Sequence, residues 1–365
     1  GHGDRPAGDG GDRRLMGVRA WAALISLALL AAPGIVALAP AQPKEVVFLG
    51  FGGTHEKNLR EHAIPAFEKQ SGIKVIYVAG TMAANFARAQ AQKGRPDADV
   101  LWNNDLIHII GKKMGLYETL DPGRVGNLRD VHDVAKDKDG VGVMQGFQAE
   151  GVQYSTRVFR DKGWAAPTSW YDLWKPEFKG RVGLYAGTNA YTQYFIPLLA
   201  RIEGGSERST DGAFKRLREL GPSAPTFPAS PAELDNLFKQ GEVWIGTNGS
   251  TRVYELQAAG FATEFAYPKE GAILFANWFD VLKGAPHPEL AQELVNFLLG
   301  PEAQEAFAKY VFFAPVNRQT KLDPETARKV PSQEQLGKMI KLDFEAINEN
   351  VAAWTERFNK EVERR

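Results

Sequence analysis

Polar residues follow three predicted strands in the N-terminal part of the chain, where the edge of a parallel sheet would bind a small polar ligand. The strand KEVVFLGF (Lys44–Phe51) ends before Gly52-Gly53-Thr54, IKVIYV (Ile73–Val78) before Gly80-Thr81, and DADVLW (Asp97–Trp102) before Asn103-Asn104-Asp105. The carboxyl ends of parallel strands form the ligand crevice of an open sheet. The spacing therefore predicts a crevice at this edge, with His55 as a hydrogen-bonding group beside it.

Polar turns also follow two predicted strands in the C-terminal half. Thr188, Asn189 and Tyr191 come after Arg181–Tyr185, and Asn248 and Ser250 come after Val243–Gly246. Each turn precedes a predicted helix, whose N-terminus offers free N–H groups and the positive end of a dipole to an anion. The same residue types also serve as ordinary turn and capping residues, so the sequence leaves both interpretations open at each position.

Metal binding and catalysis are the rival kinds of chemistry. His55, Glu56 and His62 have the spacing H-E-x5-H, which differs from the H-E-x-x-H motif of zinc peptidases. His55 and Asp105 could form an acid–base pair, but no G-x-S-x-G, Walker or G-x-G-x-x-G motif accompanies them. The sequence therefore predicts a binding protein with no cofactor, not an enzyme. A secreted lyase or hydrolase is the alternative, which turnover of the bound compound would reveal.

The elements that position these residues alternate between strands and helices, as their hydrophobic periodicity indicates. A first helix is expected over Thr54–Gln70, with Thr54 as its N-cap and a kink at Pro65. A long charged helix is expected over Glu334–Val362, with a break near Leu342. Two separate groups of strand–helix units predict an α/β protein with two lobes.

The composition is that of a soluble globular protein and argues against several classes of partner. Of 365 residues, 44 are Lys or Arg and 44 are Asp or Glu, so the formal net charge is zero. A nucleic-acid partner usually requires a basic surface. There is no cysteine, which excludes disulfides, thiolate nucleophiles and cysteine-based metal sites. The sequence therefore predicts no nucleic-acid partner.

Residues 1–41 have the pattern of a secretory signal peptide. Arg13-Arg14 precedes an apolar run over residues 20–39, and Ala39-Pro40-Ala41 offers the small residues that a signal peptidase requires. An uncleaved membrane anchor is the alternative, because the run approaches the ~20 residues that span a bilayer. Pro33-Gly34 interrupts the run and favours cleavage. We therefore expect a mature protein that acts in the periplasm.

Four segments of the chain carry a family resemblance. They are IPAFEKQSGIKV (Ile64–Val75), RPDADVLWNND (Arg95–Asp105) with MGLYETLDP (Met114–Pro122), PTSWYDLWKPEFKGRVGL (Pro167–Leu184) and WFDVLKGAPHPELAQELVNFLL (Trp278–Leu299). They resemble the periplasmic solute-binding proteins of ABC importers, in the extracellular solute-binding family 1 that includes spermidine/putrescine receptors. The segments around Trp170 and Phe297 are the more specific ones.

The resemblance implies a two-lobed periplasmic binding protein fold of type II. Each lobe would be a mostly parallel sheet flanked by helices, and the lobes would close by a hinge motion over a ligand in the cleft between them. Lobe one is expected over residues 42–147 and 279–320, and lobe two over residues 148–278 and 321–365. Gln148–Ser155 and Asn277–Asp280 are the expected crossings. The resemblance also implies a monomer that delivers its solute to a membrane permease.

One motif bears on the class of solute. In polyamine-binding relatives a Trp-x-Asp at this place in the fold packs on the methylene chain and pairs with an ammonium, and Trp278-Phe279-Asp280 matches that spacing. A core tryptophan with a surface aspartate is the alternative interpretation. The acidic pair that those receptors carry after Arg181–Tyr185 is missing, and Thr247 stands where a further tryptophan is expected. The prediction is therefore a solute with one amine and one polar or anionic end; a purely anionic carboxylate or phosph(on)ate is the alternative.

The predicted ligand site combines residues of both lobes. It consists of Gly53, Thr54, His55, Thr81, Asn104 and Asp105 on one side, Thr188, Asn189, Tyr191, Asn248 and Ser250 on the other, and Trp278 and Asp280 at the crossing. Ferric-ion receptors of related fold use adjacent tyrosines, whereas Tyr191 and Tyr194 are not adjacent. No metal is therefore predicted at this site.

Overall fold

Two open β-sheets, each covered by helices, make up the computed structural model, which describes residues 44–364. The predicted signal peptide, residues 1–41, lies outside the described residues. Within residues 44–364, no helix combines the length and the apolar character needed to cross a membrane. One core surrounds Phe48 and Phe279 on the first sheet, and another surrounds Trp170 and Phe195 on the second. The α/β fold with two separate sheets is thus as predicted.

The strands of the described residues fall into two sheets of different order. They are β1 (Glu45–Phe51), β2 (Lys74–Gly80), β3 (Val100–Asn104), β4 (Val143–Met144), β5 (Gln148–Ser155), β6 (Val182–Gly183), β7 (Ile245–Gly249), β8 (Thr263–Ala266), β9 (Ile273–Phe275), β10 (Asn277–Val281) and β11 (Ile340–Lys341). The first sheet has the order β2-β1-β3-β10-β4. The second has the order β11-β9-β5-β7-β6, with β8 also paired to β5.

Each sheet mixes parallel and antiparallel pairs, so the expectation of mostly parallel sheets is wrong. Strand β1 is parallel to β2 and β3, but β10 is antiparallel to β3 and β4. In the second sheet β5 is antiparallel to β7, β8 and β9, while β6 is parallel to β7 and β11 to β9. Along residues 44–364 the chain passes between the sheets three times: at residues 145–147, before β5, at Ala276, before β10, and within residues 282–339, before β11. Strands β5 and β10 follow the two short, direct passages and no helical crossover, the connection that makes neighbouring strands parallel, whereas β11 follows a long helical segment and is parallel to β9.

Helices cover the faces of both sheets. They are α1 (Thr54–Asn58), α2 (Ile64–Ser71), α3 (Met82–Ala91), α4 (Asp105–Lys113), α5 (Thr156–Lys162), α6 (Ala190–Ile202), α7 (Asp211–Leu220), α8 (Pro231–Gln240), α9 (Ser250–Ala258), α10 (Pro288–Leu298), α11 (Pro301–Val311), α12 (Pro324–Ala327), α13 (Gln333–Lys338) and α14 (Phe344–Phe358). Short 3-10 turns occur at Gly126–Asp130, Asp133–Ala135, Trp170–Trp174, Pro176–Phe178 and Gly221–Ser223, and π-helical turns at Leu59–Ala63 and Asn359–Glu363.

The first helical segment joins α1 to α2 through the π-helical turn Leu59–Ala63. Gly53 is its N-cap and has a φ of 69°, a conformation that glycine adopts without strain. Thr54 is the first helical residue, so the prediction that Thr54 is the N-cap is wrong. Pro65 lies directly after the π-helical turn, whose wider geometry accommodates a residue that has no N–H to donate.

The C-terminal segment is not one long helix. It consists of α13, the two-residue strand β11 and α14, and β11 extends the second sheet by pairing Ile340 with Ile273. The break expected near Leu342 therefore falls at this strand. Leu342 and Phe344 are buried in the core of the second sheet, and their burial draws the chain into the sheet at the point where the break in a long charged helix was expected.

The substitution Gly142→Ala should destabilise the fold far more than Gly72→Ala. Both glycines have positive φ, 74° and 71°, so alanine costs each position roughly 1–2 kcal/mol of backbone strain. A Cβ at Gly72 would meet nothing within 4 Å, whereas a Cβ at Gly142 would lie 2.1 Å from Oδ1 of Asp280. Urea unfolding of both variants measures the difference. Equal losses of stability would contradict the close packing around Gly142.

Candidate functional site

A cavity of about 420 Å³, here called the cleft cavity, is lined by residues from both sheets. Its volume lies in the range of small-molecule sites. The first sheet and its helices contribute Phe51, His55, Met82, Asn104 and Asn277, and the second contributes Gln148, Asn189, Ala190, Tyr191, Tyr194, Pro231, Thr251, Arg252, Glu255 and Phe275. Aromatic rings and amide groups dominate this lining, with two charged side chains on α9.

The carboxyl ends of β1 and β3 form one wall of the cleft cavity. Asn104 ends β3, and its Oδ1 accepts a hydrogen bond from the backbone N–H of Ile107 at 3.0 Å, which caps α4. Gly53 and Thr54 are exposed next to His55 at the end of β1. Thr81 caps α3 in the same way, but it is exposed and is not among the lining residues.

His55 lies in an aromatic environment on this wall. Its ring centroid is 5.3 Å from that of Trp102, 5.7 Å from that of Phe51 and 5.9 Å from that of Phe313. Burial lowers the pKa of His55 to about 4, because the charged imidazolium is poorly solvated there. Its Nδ1 is buried and finds no hydrogen-bond partner within residues 44–364. At neutral pH His55 is thus a neutral imidazole with one buried ring nitrogen that has no partner among the described residues.

The opposite wall is formed by the start of α6. Asn189 caps this helix through a hydrogen bond of 2.9 Å from the N–H of Tyr191, and its Nδ2 donates to the carbonyl of Ala229 at 3.0 Å. The ring of Tyr191 stacks on Tyr185 at 5.1 Å and meets the edge of Phe275 at 5.7 Å. Thr188 is exposed in the preceding turn and is not among the lining residues. Packing on two sides therefore fixes the Tyr191 ring at the cavity.

Arg252 and Glu255 on α9 bring charge to the cleft cavity. The Arg252 guanidinium donates to Glu255 at 2.9 Å and to the buried Asp235. Burial raises the pKa of Glu255, and the charge of Arg252 opposes that shift. The Nε of Arg252 is buried and has no acceptor in the described part of the chain. One N–H of this guanidinium is therefore left without an acceptor among the described residues.

Asn248, on β7, and Ser250, the first residue of α9, are wholly buried and are not among the residues that line the cleft cavity. Asn248 donates to Gln153 Oε1 at 2.7 Å and accepts from the hydroxyl of Tyr185 at 3.0 Å. Ser250 Oγ accepts from the N–H of Ala149 at 3.0 Å. These side chains hold β7 and the start of α9 against β5, so we leave them out of the proposed set of ligand contacts.

Asp105 and Trp278 join α4 to β10. The two carboxylate oxygens of Asp105 accept hydrogen bonds from Trp278 Nε1 and from the N–H of Ala276, each at 2.8 Å. Burial raises the pKa of Asp105 to about 6 against the effect of these donors. The indole of Trp278 stacks on the ring of His108 at 3.9 Å between centroids. A protein side chain thus covers one face of Trp278, which leaves less of the indole for a methylene chain of a ligand.

Asp280 is wholly buried and is already bonded to protein groups. Its Oδ1 lies 2.9 Å from Nδ1 of His108, and its Oδ2 accepts from Asn103 Nδ2 at 2.8 Å. Burial disfavours the charged form of His108, but the carboxylates of Asp280 and Asp137 outweigh it and raise the pKa of His108 to about 9. At neutral pH His108 is therefore an imidazolium, which neutralises Asp280 from within the protein. His108 and Trp278 line a separate cavity of about 380 Å³.

Glu150 is a candidate that the sequence analysis missed. It lies on β5 two residues from the cavity-lining Gln148, and side chains two apart on a strand share a face. It is wholly buried, and neither carboxylate oxygen has a hydrogen-bond partner among residues 44–364. Burial raises its pKa well above the ordinary value. The alternation Gln148-x-Glu150 in a strand that a core should cover is the signal that could have revealed it.

The histidines considered as metal ligands lie in different surroundings. His62 stacks on Tyr310 at 3.8 Å between centroids, whereas His55 packs against Trp102. Among residues 44–364, no group of three or more histidine, aspartate or glutamate side chains is placed to hold a metal ion. Tyr191 and Tyr194 both line the cleft cavity.

Comparison with known proteins places the chain in a family. The model of the bacterial extracellular solute-binding protein family matches residues 62–331. The gamma-aminobutyric acid-binding protein of Pseudomonas aeruginosa is 25% identical over 346 residues, which cover 88% of this chain and 94% of that protein. The spermidine/putrescine-binding periplasmic protein of Escherichia coli K12 is 28% identical over 282 residues, with coverages of 72% and 76%. The crystal structure of an ABC transporter protein from Clostridium perfringens has a TM-score of 0.76 at 22% identity and covers 87% of this chain.

This chain belongs to the bacterial extracellular solute-binding protein family, because the family model matches more than half of its length. Its two helix-covered sheets have the fold of solved binding proteins of ABC transporters. It is a solute-binding transport protein, not an enzyme, and it acts outside the cytoplasm. Proteins of this kind bind small solutes and interact with a membrane permease.

The stability contributed by the His108–Asp280 pair should disappear as the pH rises. The pKa of His108 is about 9 in the fold against an ordinary value of 6.5. The contribution is therefore fully present below pH 6.5 and is lost as the pH rises through about 9. The pKa difference corresponds to roughly 3 kcal/mol. Urea unfolding at several pH values across this window measures the loss.

The matched control for this prediction is the double variant His108→Gln/Asp280→Asn, in which both partners are neutral. Its unfolding free energy should change little across the same window. It should also be more stable than either single variant, because each single variant leaves one buried charge without its partner and the double variant leaves none. A wild-type curve parallel to that of the double variant would show that His108 is not charged in the fold.

Proposed function

We propose that this protein is the periplasmic receptor for a small solute that carries an amine and an anionic group, and that the cleft cavity binds this solute. The observation that carries the proposal is the distribution of charge at the cavity. Arg252, with a buried N–H that has no acceptor in the described residues, lies beside Glu255 on a wall that is otherwise aromatic and amide-rich. Groups of both signs at one small cavity suit a solute with two unlike ends.

The ligands named for two relatives support the amine. One relative is named for gamma-aminobutyric acid and another for spermidine and putrescine, and all three compounds carry at least one amine. Gamma-aminobutyric acid also carries a carboxylate. A polyamine fits this chain less well, because Asp280 is already neutralised by His108 and Trp278 is already covered by the same ring.

A purely anionic carboxylate or phosph(on)ate is the second candidate. The free N–H of Arg252 favours it, as does the position of Asn189 at the N-terminus of α6, where unpaired N–H groups and the helix dipole attract negative charge. The two candidates differ in one respect that experiment resolves directly. An amine-bearing solute requires its ammonium group for tight binding, and an anionic solute does not.

Hinge closure is the proposed mode of binding. The halves are joined through two short segments, residues 145–147 and Ala276, and through the longer segment between β10 and β11. Closure about such connections would bring the walls of the cleft cavity together on the solute. We keep the division into two lobes as part of this proposal, with Asn277 and Trp278 moved to lobe one because β10 pairs with β3 of the first sheet. The removal of residues 1–41 as a signal peptide and the monomeric state are parts of the proposal as well. The closed form would then dock on the permease of an ABC importer and release the solute unchanged.

Calorimetric titration with 4-aminobutyrate, butylamine, butyrate and putrescine tests the proposed class of solute. We expect 4-aminobutyrate to bind most tightly, and removal of either end to weaken binding by about tenfold or more, since charge-assisted hydrogen bonds of roughly 1.5–3 kcal/mol are lost. Butyrate binding as tightly as 4-aminobutyrate would favour the anionic candidate instead. Small-angle scattering should show compaction with the ligand, and NMR should recover it chemically unchanged.

A further inference from the structure

Glu150 stands apart from the other buried acids of the described residues. The buried carboxylates of residues 44–364 are those of Asp99, Asp105, Glu150, Asp172, Glu207, Asp235 and Asp280. Only Glu150 in this set has both oxygens buried without a hydrogen-bond partner. Asp99, for example, accepts from the N–H groups of Val47 and His287, each at 2.7 Å. Because a buried carboxylate without donors is strongly unfavourable, the position of Glu150 calls for an explanation beyond packing.

Glu150 is not itself among the residues that line the cleft cavity, but its place on β5 and its unbonded oxygens set it apart from the other buried residues beside that lining. Its strand neighbour Gln148 lines the cavity on the same strand face, and Gln148 is itself held by a hydrogen bond of 2.9 Å from Thr251, another lining residue. Glu150 pairs with Gly249 of β7 and with Ile273 of β9, so β5 is fixed on both sides at this residue. The side chain thus projects from a rigid part of the second sheet.

The groups that interact electrostatically with Glu150 are the hydroxyls of Tyr185, Tyr191 and Tyr194. Burial is the largest cause of the raised pKa of Tyr191, and a negative charge on Glu150 is the second. Asp235, Arg252 and Glu255 act on Tyr191 as well, from α8 and α9. Burial is the whole cause of the raised pKa of Glu150 itself. The Tyr194 hydroxyl is a second buried group with no partner in the described chain, and Tyr194 lines the cleft cavity.

We propose that Glu150 binds the ammonium group of the solute and passes from carboxylic acid to carboxylate as it does so. In the empty protein the acid form needs no counter-charge. When the solute enters, the O–H bond of the acid breaks, the proton leaves to solvent, and the carboxylate pairs with an ammonium that keeps its three N–H bonds. This inference rests on the proposed function and deepens it, since it assigns the amine end of the solute to a residue other than Asp280.

The proposal makes binding depend on pH in a defined direction. A group whose pKa the fold raises holds its proton more firmly in the folded protein, so binding that expels this proton strengthens as the pH rises. The strengthening stops above the pKa of Glu150 in the empty protein. The tyrosines near Glu150 stay protonated throughout, because burial raises their pKa values above 10.

Calorimetric titration with 4-aminobutyrate in buffers of different ionisation enthalpy tests the assignment. The wild type should release up to about one proton per ligand bound, the fraction growing as the pH is lowered. Glu150→Gln should bind about thirtyfold more weakly or worse, as expected for a lost charged contact, and should release no proton. The matched control Glu264→Gln, on β8 of the same sheet and outside the cleft cavity, should behave as the wild type.

Each outcome supports or overturns the assignment. If the wild type binds 4-aminobutyrate and Glu150→Gln binds it equally well, the role of Glu150 is overturned while the proposed function stands. If neither 4-aminobutyrate nor butylamine nor putrescine binds the wild type, both are overturned. Glutamine resembles the uncharged acid, so Glu150→Gln should melt at or above the wild-type temperature. A markedly lower melting temperature would show that the carboxylate is bonded in the empty protein, against the premise.

Discussion

Charge balance around the two short crossings between the sheets, residues 145–147 and Ala276, constrains this structure more than any other interaction. Asp105 is stabilised there by two N–H donors and Asp280 by the imidazolium of His108. Glu150 lies on the strand that follows the first crossing and has neither kind of partner within residues 44–364. A low-dielectric interior makes an unbalanced charge costly, so each acid there must be paired, bonded or protonated. The three acids meet this requirement in three different ways, and only Glu150 keeps carboxyl oxygens that no described protein group already bonds.

The direction of the crossing strands explains why their first residues lie at the cleft cavity. Strands β5 and β10 each enter a sheet directly from the other one, and each is antiparallel to its neighbours there. Their first residues, Gln148 and Asn277, line the cleft cavity. In hinge closure the segments nearest the connections move least, since the bending is confined to a few residues. Recognition groups on these strands are therefore already placed before the walls approach.

The sequence predicts the edges of the sheets better than it predicts individual contacts. Asn104 and Asn189, expected as polar strand ends, line the cleft cavity, whereas Thr81 and Thr188 at equivalent turns are exposed. Periodicity locates a strand end but does not say which way its side chain turns. The two-residue strand β11 is too short to show any period, so the C-terminal segment resembled one long helix. The partner of Asp280 lies 172 residues away in sequence, and no local pattern reports such a contact.

The His108–Asp280 pair also bears on why this chain would recognise an amine differently from the polyamine receptors it resembles. An aspartate at that motif can attract a ligand ammonium only while its charge is uncompensated. Here the His108 imidazolium already compensates the charge of Asp280 at neutral pH, and removing a buried cation from its partner is strongly unfavourable. A ligand ammonium therefore needs another carboxylate near the cavity, and Glu150 is the buried acid of the described residues with both oxygens unbonded. Holding that acid protonated keeps the empty protein free of an unpaired charge, and the charge is created only when a cation arrives to balance it.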